Sequence, residues 1–250
     1  MSLRLSLVIP AHNESQRLPR YLAAVRSYLP NCFQDAYEVI VVDDGSRDGT
    51  CDALRSLQQE WPALRILCHA RNLGKGAAVR TGMLAAQGDL LLFADADGAT
   101  PIDQESRLRR AIDQGADIAV GSRLLRSPDV ACRRSLPRAV VGRLFASGIR
   151  CFLQLPVRDT QCGFKMFRRE VGHSLFQAAT ECGYLFDIEV ILEAVRRGHR
   201  IAEVPIEWSD QPGSQLNMLR ESRRIFHGLW QLRHRQITLE ARKQHGENAT

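Results

Sequence analysis

The chain has 250 residues, of which 44% are hydrophobic and 25% are charged; this is the balance of a globular protein with a buried core, and it excludes a disordered or fibrous chain. Its apolar runs are far shorter than the roughly 18 residues that a membrane-spanning helix needs. The formal net charge of +6 is unevenly distributed, with −2 on residues 1–122 and +8 on residues 123–250, so the second half predicts an anionic partner such as nucleic acid, a phospholipid headgroup or a phosphorylated substrate.

The first half of the chain alternates strand and helix patterns. Short apolar runs predict buried strands at residues 5–9, 39–42, 64–67, 90–94 and 118–120. Helical patterns follow at residues 18–29, 54–61 and 74–87, and Thr100 before Pro101 predicts a further helix with Thr100 as its N-cap. Buried strands separated by helices predict a mainly parallel, doubly wound α/β sheet.

The second half changes rhythm after residue 123. It predicts a helix over residues 137–153, a loop and strand over 159–167, a helix over 187–197 and a strand over 201–208. A Pro/Gly/Ser link at residues 211–214 then precedes a basic amphipathic helix over residues 216–235. Such a helix can dock on its own domain or lie in a membrane interface, and the sequence leaves both open.

Polar residues follow four of the predicted strands. They are Asn13-Glu14, Asp43-Asp44, Asp95-Ala96-Asp97 and Ser122-Arg123. Ligands of open α/β sheets bind at the carboxyl ends of the strands. We therefore expect these residues to share one edge of the sheet.

Asp95 and Asp97 are candidates for a metal site. Two carboxylates in an extended turn can bind one cation together, and hard oxygen ligands select Mg²⁺ or Mn²⁺, with water and substrate phosphates as the other ligands. The same Asp-x-Asp-Gly pattern is also ordinary turn chemistry. This segment alone leaves the two interpretations open.

Two further segments carry the same ambiguity. Asp43-Asp44-Gly45-Ser46 is a turn pattern, but a carboxylate at a strand end can also accept a hydrogen bond from a ribose hydroxyl or a base N–H. Gly74-Lys75-Gly76 offers backbone N–H groups and one ammonium to a phosphate at a helix start. It is also similar to part of a dinucleotide-binding fingerprint, although Val79 stands at the third glycine position, which makes a Rossmann dehydrogenase a weak alternative.

Taken together, these segments resemble the family 2 glycosyltransferases, which are inverting enzymes with the GT-A fold. The resemblance rests on VIPAHNE (8–14), VDDGSRDGT (42–50), RNLGKG (71–76) and DADG (95–98). Four later segments make it most similar to the dolichyl-phosphate glucosyltransferases, which are close to the dolichyl-phosphate mannose synthases. These segments are GSR (121–123), DTQCGFK (159–165), FDIE (186–189) and EVPIEW (203–208). It implies a GT-A catalytic domain over residues 1–210, with a nucleotide and metal half (1–122) and an acceptor half (123–210), followed by a basic amphipathic helix and tail (211–250).

For the donor side, the resemblance implies metal-dependent transfer of glucose from UDP-glucose, with mannose from GDP-mannose as the alternative. The implied donor-site residues are Pro10, Asn13, Glu14 and Asp44 in the nucleoside pocket, Lys75 near the nucleotide or its phosphates, and Asp95 and Asp97 at a Mg²⁺ or Mn²⁺ ion. Asp44 would read the base. Nothing in residues 8–50 decides by physics alone which base that is.

For the acceptor side, the resemblance implies a polyprenyl phosphate, which is already anionic at neutral pH and needs no strong general base. Catalysis then depends on positioning and charge stabilisation. The candidate ligands of the acceptor phosphate are Arg123, Arg134, Arg138 and Lys165. Asp187 is a further catalytic candidate, either as a base, as in relatives with hydroxyl acceptors, or as a residue that orients Arg or Lys side chains or holds a loop; both roles stay open.

A lipid acceptor also implies peripheral contact with the cytoplasmic face of a membrane. The resemblance implies a basic residue after Gly213-Ser214, and the chain has Gln215 there instead. A nucleic-acid-binding protein would need an aromatic platform or a recognition helix, and only 6% of the residues are aromatic, with no such grouping. The seven cysteines are scattered without a Cys-x-x-Cys pair. This predicts reduced thiols in the cytosol and neither a disulfide framework nor a zinc site.

Overall fold

The structure, a computed structural model, describes residues 3–130, 132–133, 147–211 and 228–230. Its strands are β1 (Leu5–Ala11), β2 (Tyr37–Asp43), β3 (Leu64–Cys68), β4 (Leu90–Ala94), β5 (Ile118–Ser122), β6 (Cys132–Arg133), β7 (Phe164–Arg168), β8 (Ile201–Pro205) and β9 (Trp208–Ser209). Its helices include α1 (Leu18–Phe33), α2 (Thr50–Glu60), α3 (Lys75–Ala85), α4 (Glu105–Asp113), α5 (Arg169–Ala178) and α6 (Phe186–Arg196), with a 3₁₀ turn at Ile102–Gln104 before α4.

Seven strands form one sheet in the order β3-β2-β1-β4-β7-β5-β8. All neighbouring pairs are parallel except those of β7, which runs antiparallel to both β4 and β5. The mainly parallel sheet is confirmed, and the antiparallel β7 is an addition that the local patterns did not predict. β6 and β9 pair separately from this sheet, with Cys132 opposite Trp208.

Apolar side chains cover both faces of the sheet, because successive residues of a strand point to opposite sides. In β1, Leu7 and Ile9 belong to the apolar layer that α1 and α4 complete, whereas Val8 belongs to the layer of α3, α5 and α6. All three side chains are fully buried. A Cβ built on Gly82 would overlap the Val8 side chain, so α3 lies close against the sheet. Burial on both faces explains why the strands are continuous apolar runs.

Two local predictions differ from the structure. The prediction that Thr100 caps a helix is wrong: Pro101 is extended (ψ 143°), and the chain enters α4 through the 3₁₀ turn. Pro101 therefore precedes the helix instead of beginning it. The strand predicted over residues 201–208 is divided into β8, which pairs with β5, and β9, which pairs with β6.

Several predictions fall wholly or partly outside the described residues. The helix predicted over residues 137–153 is described only from residue 147, and residues 147–153 are helical. Of the basic helix predicted over residues 216–235, only residues 228–230 are described; they are helical, and Leu229 packs against the apolar layer of α6. A search of the described helices for one long and apolar enough to cross a membrane finds none.

Candidate functional site

The carboxyl ends of β1, β2, β4 and β5 lie at the same edge of the sheet, as predicted. A cavity of about 270 Å³ opens there. Its lining residues are Pro10, Ala11, His12, Glu14, Arg17, Asp44, Asn72, Gly74, Lys75, Ala78, Asp95, Ala96, Asp97, Gly183 and Tyr184. We call it the donor cavity, because it brings together the residues expected to bind the donor, apart from Asn13, which is not in its lining.

Asp95 is the first residue after β4, and the loop before β7 fixes its position. Its backbone N–H donates to Gly163 O at 3.0 Å. A Cβ built on Gly163 would overlap the Asp95 carboxylate, so only a glycine at this position leaves space for that carboxylate. In the sequence Gly163 belongs to the segment DTQCGFK (159–165), and no local pattern marks it as the residue that leaves space for Asp95.

Asp97 faces the same cavity two residues later. Its Oδ1 accepts the backbone N–H of Ala99 at 3.0 Å, so the segment is a turn as well as part of the cavity wall. Burial raises the pKa of Asp97, and the neighbouring charge of Asp95 raises it further. Two carboxylates that repel each other supply the hard oxygen ligands that Mg²⁺ and Mn²⁺ prefer, so the residues present fit such an ion.

Lys75 begins α3, and its Nζ lies 2.6 Å from Asp95 Oδ1. Burial lowers the pKa of Lys75, but the charges of Asp95 and Asp187 outweigh that effect and hold the pKa above its usual value. The ammonium is therefore charged at neutral pH. An ammonium beside the first N–H groups of a helix favours an anionic ligand such as phosphate.

The start of α3 packs against the loop before α6. Gly74 has a φ of +103°, and a Cβ on Gly74 or Gly76 would overlap backbone oxygens of residues 181 and 182. This contact brings Gly183 and Tyr184 to the donor cavity. Sequence reasoning missed both residues, because no local pattern marks a loop that reaches the site from the second half of the chain.

Asp44 lines the donor cavity, but its carboxylate already accepts hydrogen bonds. Oδ1 accepts the backbone N–H of Leu73 at 2.9 Å, and Oδ2 accepts that of Gly74 at 2.8 Å. His69 Nδ1 lies 2.7 Å from Oδ1. Asp44 therefore holds the loop that leads into α3, and base reading stays a prediction. His69 directly follows β3, so the strand-end rule that selected the other residues could have found it.

Asn13 and Glu14 connect the loops after β1 and β2. Asn13, at a φ of +57°, donates its backbone N–H to Ser46 Oγ at 2.9 Å. Burial raises the pKa of Glu14, and a two-point contact with Arg17, in which Nε donates to Oε2 at 2.7 Å, opposes that rise. Arg17 also lines the cavity near Asp97. Sequence reasoning missed this cation.

Lys165 belongs to the core. Its Nζ donates to Asp187 Oδ1 and to Cys162 O, each at 2.5 Å, and its side chain is 2% exposed. In this structure the ammonium is occupied by these two partners, and the expected contact between Lys165 and the acceptor phosphate stays a prediction. Burial raises the pKa of Asp187, and the charges of Lys165 and Lys75 oppose that rise. Of the two roles left open for Asp187, this contact supports the orientation of a lysine.

Arg123 directly follows β5 and is bound to Asp159. Its Nε and Nη2 each donate to the Asp159 carboxylate at 2.7 Å, and its backbone N–H donates to Oδ2 at 2.9 Å. The guanidinium also lies over the ring of Trp208, 5.7 Å from the centroid. Arg123 therefore anchors the loop before β7, and its contact with an acceptor phosphate stays a prediction. Arg134 and Arg138 lie outside the described residues.

Comparison with known proteins gives matches in sequence. Residues 6–176 match the family model described as glycosyl transferase family 2. The dolichyl-phosphate beta-glucosyltransferase of Drosophila melanogaster is 39% identical over 230 residues, which cover 86% of this chain and 70% of that protein. The dolichyl-phosphate beta-glucosyltransferase of Homo sapiens is 33% identical over 225 residues, which cover 85% of this chain and 69% of that protein.

Solved structures match in fold. Glucosyl-3-phosphoglycerate synthase from Mycobacterium tuberculosis, in complex with Mn²⁺ and uridine-diphosphate-glucose, has a TM-score of 0.68 at 22% identity, covering 92% of this chain and 79% of that chain. Mannosyltransferase PcManGT from Pyrobaculum calidifontis, in complex with GDP-Man and Mn²⁺, has a TM-score of 0.59 at 18% identity, covering 90% of this chain and 61% of that chain.

Proposed function

The chain belongs to glycosyl transferase family 2 and has the GT-A fold, and from this premise we propose that it transfers glucose from UDP-glucose to a polyprenyl phosphate. The observation that carries the proposal is the donor cavity, which brings Asp95, Asp97 and Lys75 together at the carboxyl edge of the sheet. The dolichyl-phosphate beta-glucosyltransferases among the relatives support glucose and a polyprenyl phosphate as the transferred sugar and its acceptor.

On the donor side, the cavity combines carboxylates with cations. Asp95 and Asp97 would hold one Mg²⁺ or Mn²⁺ ion, which when bound supplies positive charge to the leaving diphosphate. Lys75 and Arg17 add fixed positive charge in the same cavity lining. Preorganised charges in a partly buried cavity stabilise developing negative charge better than water does.

On the acceptor side, a phosphate oxygen of the lipid is the nucleophile. It attacks the anomeric carbon of glucose from the face opposite UDP; the new C–O bond forms as the bond to UDP breaks, and the configuration inverts. A phosphate monoester is anionic at neutral pH, so the protein does not have to remove a proton. Asp187, buried and bound to Lys165, would position that lysine instead of acting as a base.

The arginines of the second half would bind the acceptor. In this proposal Arg134 and Arg138 contact the lipid phosphate, and Arg123 holds the loop before β7 through Asp159. The charge of +8 on residues 123–250 suits both a lipid phosphate and an anionic membrane surface. Since a polyprenyl chain stays in the bilayer, the protein would act as a peripheral protein at the cytoplasmic face of a membrane.

A transfer assay tests the proposal. The protein is incubated with Mn²⁺, a polyprenyl phosphate in detergent, and either UDP-glucose or GDP-mannose, and the lipid fraction is analysed by mass spectrometry. We expect a glucosylated lipid from UDP-glucose and no product after chelation of the metal. If product forms from GDP-mannose and not from UDP-glucose, the transferred sugar is mannose. If no nucleotide raises the unfolding temperature in the presence of Mn²⁺, the donor site itself is refuted.

A further inference from the structure

Outside the donor cavity, two thiols and a carboxylate converge where β2 and β3 end and α2 begins. Cys51 Sγ lies 3.9 Å from Cys68 Sγ. Together with an oxygen of Asp43 they form a group whose ligand atoms all lie within 4.8 Å of one another. Among the described residues, no other set of three His, Cys, Asp or Glu side chains meets this spacing. We call this group the thiol cluster.

The distance between the two sulfur atoms is that of two ligands of one ion. In a tetrahedral zinc site the Zn–S distance is about 2.3 Å, which places two sulfur ligands about 3.8 Å apart. A disulfide would need an S–S distance of about 2.05 Å. The observed 3.9 Å therefore matches shared coordination with almost no movement of either side chain.

The ligand atoms of the thiol cluster favour a soft cation. Thiolates favour Zn²⁺ over Mg²⁺ and Mn²⁺, and a carboxylate oxygen is an ordinary third zinc ligand. The cluster therefore differs in selectivity from Asp95 and Asp97, which offer oxygen alone. The Asp43 carboxylate is already oriented, because its Oδ1 accepts the backbone N–H of Ser46 at 3.2 Å, and such supporting hydrogen bonds are typical of metal-binding carboxylates.

Solvent reaches the thiol cluster, since Cys68 is exposed and Cys51 is half-buried. We propose that Asp43, Cys51 and Cys68 bind one Zn²⁺ ion, with a water molecule as the fourth ligand. Each thiol releases its proton to solvent as its Zn–S bond forms. The scattered spacing of these residues in the sequence argued against a zinc site, and only the fold brings them together.

The proposed ion adjoins the wall of the donor cavity. Asp43 precedes Asp44, and Cys68 precedes His69, whose Nδ1 lies 2.7 Å from Asp44 Oδ1. An ion bound by the thiol cluster therefore ties the ends of β2 and β3 to α2. It stabilises the Asp44–His69 contact, which holds the loop that leads into α3.

A cadmium titration of the full chain tests this proposal, because Cd²⁺–thiolate bonds give an ultraviolet charge-transfer absorbance that oxygen ligands do not give. The titration is made with excess Mg²⁺, which occupies oxygen sites, and with a phosphine reductant, which keeps the thiols reduced. We expect the absorbance to saturate at one Cd²⁺ per chain and to disappear when Zn²⁺ is added. Zn²⁺ should also raise the unfolding temperature, because it binds the folded state preferentially. A titration without this absorbance overturns the proposal.

Variants assign the ligands. Cys51→Ser and Cys68→Ser should each weaken Cd²⁺ binding at least about tenfold, the loss that even an outer-sphere partner of a metal site causes. Cys151→Ser is the matched control, because Cys151 is also exposed but lies outside the thiol cluster. An unchanged titration in either cluster variant, or an equal loss in the control, overturns the proposal. Asp43→Asn keeps both thiols, and unchanged affinity in that variant excludes the carboxylate ligand.

Discussion

Lys75 Nζ lies 2.6 Å from Asp95 Oδ1, so the ammonium at the start of α3 and one carboxylate of the proposed metal pair neutralise each other across the donor cavity. A nucleoside diphosphate with its divalent cation brings charges of both signs. It can therefore replace this internal ion pair by two external ones, with the phosphates on Lys75 and the cation on Asp95. The pairing predicts that metal affinity and nucleotide affinity respond oppositely to the loss of Lys75.

Lys75→Gln should separate the two affinities. Asp95 loses its nearest cation, so Mn²⁺ alone should bind more tightly. UDP should bind about tenfold more weakly, since a hydrogen bond to a charged group contributes about 1.5 kcal/mol. Calorimetric titrations with Mn²⁺ and with UDP measure both changes. Arg80→Gln, in the same helix but bound to Phe176 O, is the control; a weaker affinity for both ligands in Lys75→Gln would contradict the exchange.

Asp97→Ala should lower the transfer rate by roughly two to three orders of magnitude, the usual cost of removing one electrostatic contact to the transition state. The unfolding temperature should stay close to that of the natural chain. The loss of the Ala99 contact is offset because the variant no longer bears the burial of the charged carboxylate or its repulsion by Asp95, which together raise the pKa of Asp97. Product formation and a thermal melt measure the two quantities. Asp103→Ala, an exposed carboxylate nearby, should keep its activity, and full activity in Asp97→Ala would refute the metal role.

Gly163→Ala should displace the Asp95 carboxylate, because the added Cβ would overlap it. We expect a lower affinity for Mn²⁺ and slower transfer. Gly148→Ala is the matched control, since a Cβ built on Gly148 meets nothing within 4 Å. Manganese titration of both variants tests whether Gly163 leaves the space that the Asp95 carboxylate needs. Identical affinities would mean that the loop before β7 does not fix Asp95.

The Lys165–Asp187 pair should behave as a buried ion pair. Asp187→Leu leaves the Lys165 ammonium buried without its carboxylate, which should lower the free energy of unfolding by about 3–5 kcal/mol. Adding Lys165→Met should recover most of that loss, because two apolar side chains replace two charges. Urea unfolding measures both.

The same pair can be checked for catalysis. Asp187→Asn, if folded, should keep the pH dependence of the transfer rate, because the acceptor phosphate needs no base in the proposed reaction. Loss of one limb of the pH–rate profile in that variant would show instead that Asp187 titrates in the reaction.

Arg134→Ala should raise the KM for the polyprenyl phosphate about tenfold and leave the affinity for UDP-glucose unchanged, because one charge-assisted contact to the acceptor is lost. Arg126→Ala, an exposed arginine of the same half, is the control. Steady-state kinetics with each substrate varied in turn separate the two effects. If both substrates are affected equally, Arg134 does not belong to the acceptor site.

The edge of the sheet that carries the donor cavity could be predicted from the sequence, because its position follows from one geometric rule. The apolar runs that became β1, β2 and β4 each end in polar residues, and parallel strands bring those ends to one edge. Asp44 and Asp95 are immediate continuations of their strands, so a shift of one residue in the assignment would not have moved them from that edge.

The environment of the residues expected on the acceptor side could not be predicted, because it depends on contacts between distant segments. No local pattern marks Phe164–Arg168 as an antiparallel strand, yet its position between β4 and β5 is what buries Lys165 beside Asp187. The role of Gly163 could not be predicted from the sequence for the same reason. In the sequence it is an ordinary turn glycine, and only the packing of Asp95 against it reveals why a side chain is excluded.

The position of β7 also governs how this chain can be recombined with others. β7 comes from the second half of the sequence but separates β4 from β5, two strands of the first half. A fragment that stops at residue 122 would therefore leave β4 and β5 with unpaired edges, which invite aggregation. A chimera that joins residues 1–122 of one parent to the remainder of another would place β7 of the second parent between β4 and β5 of the first. A chimera that keeps β4, β7 and β5 from the same parent preserves the packing of these three strands.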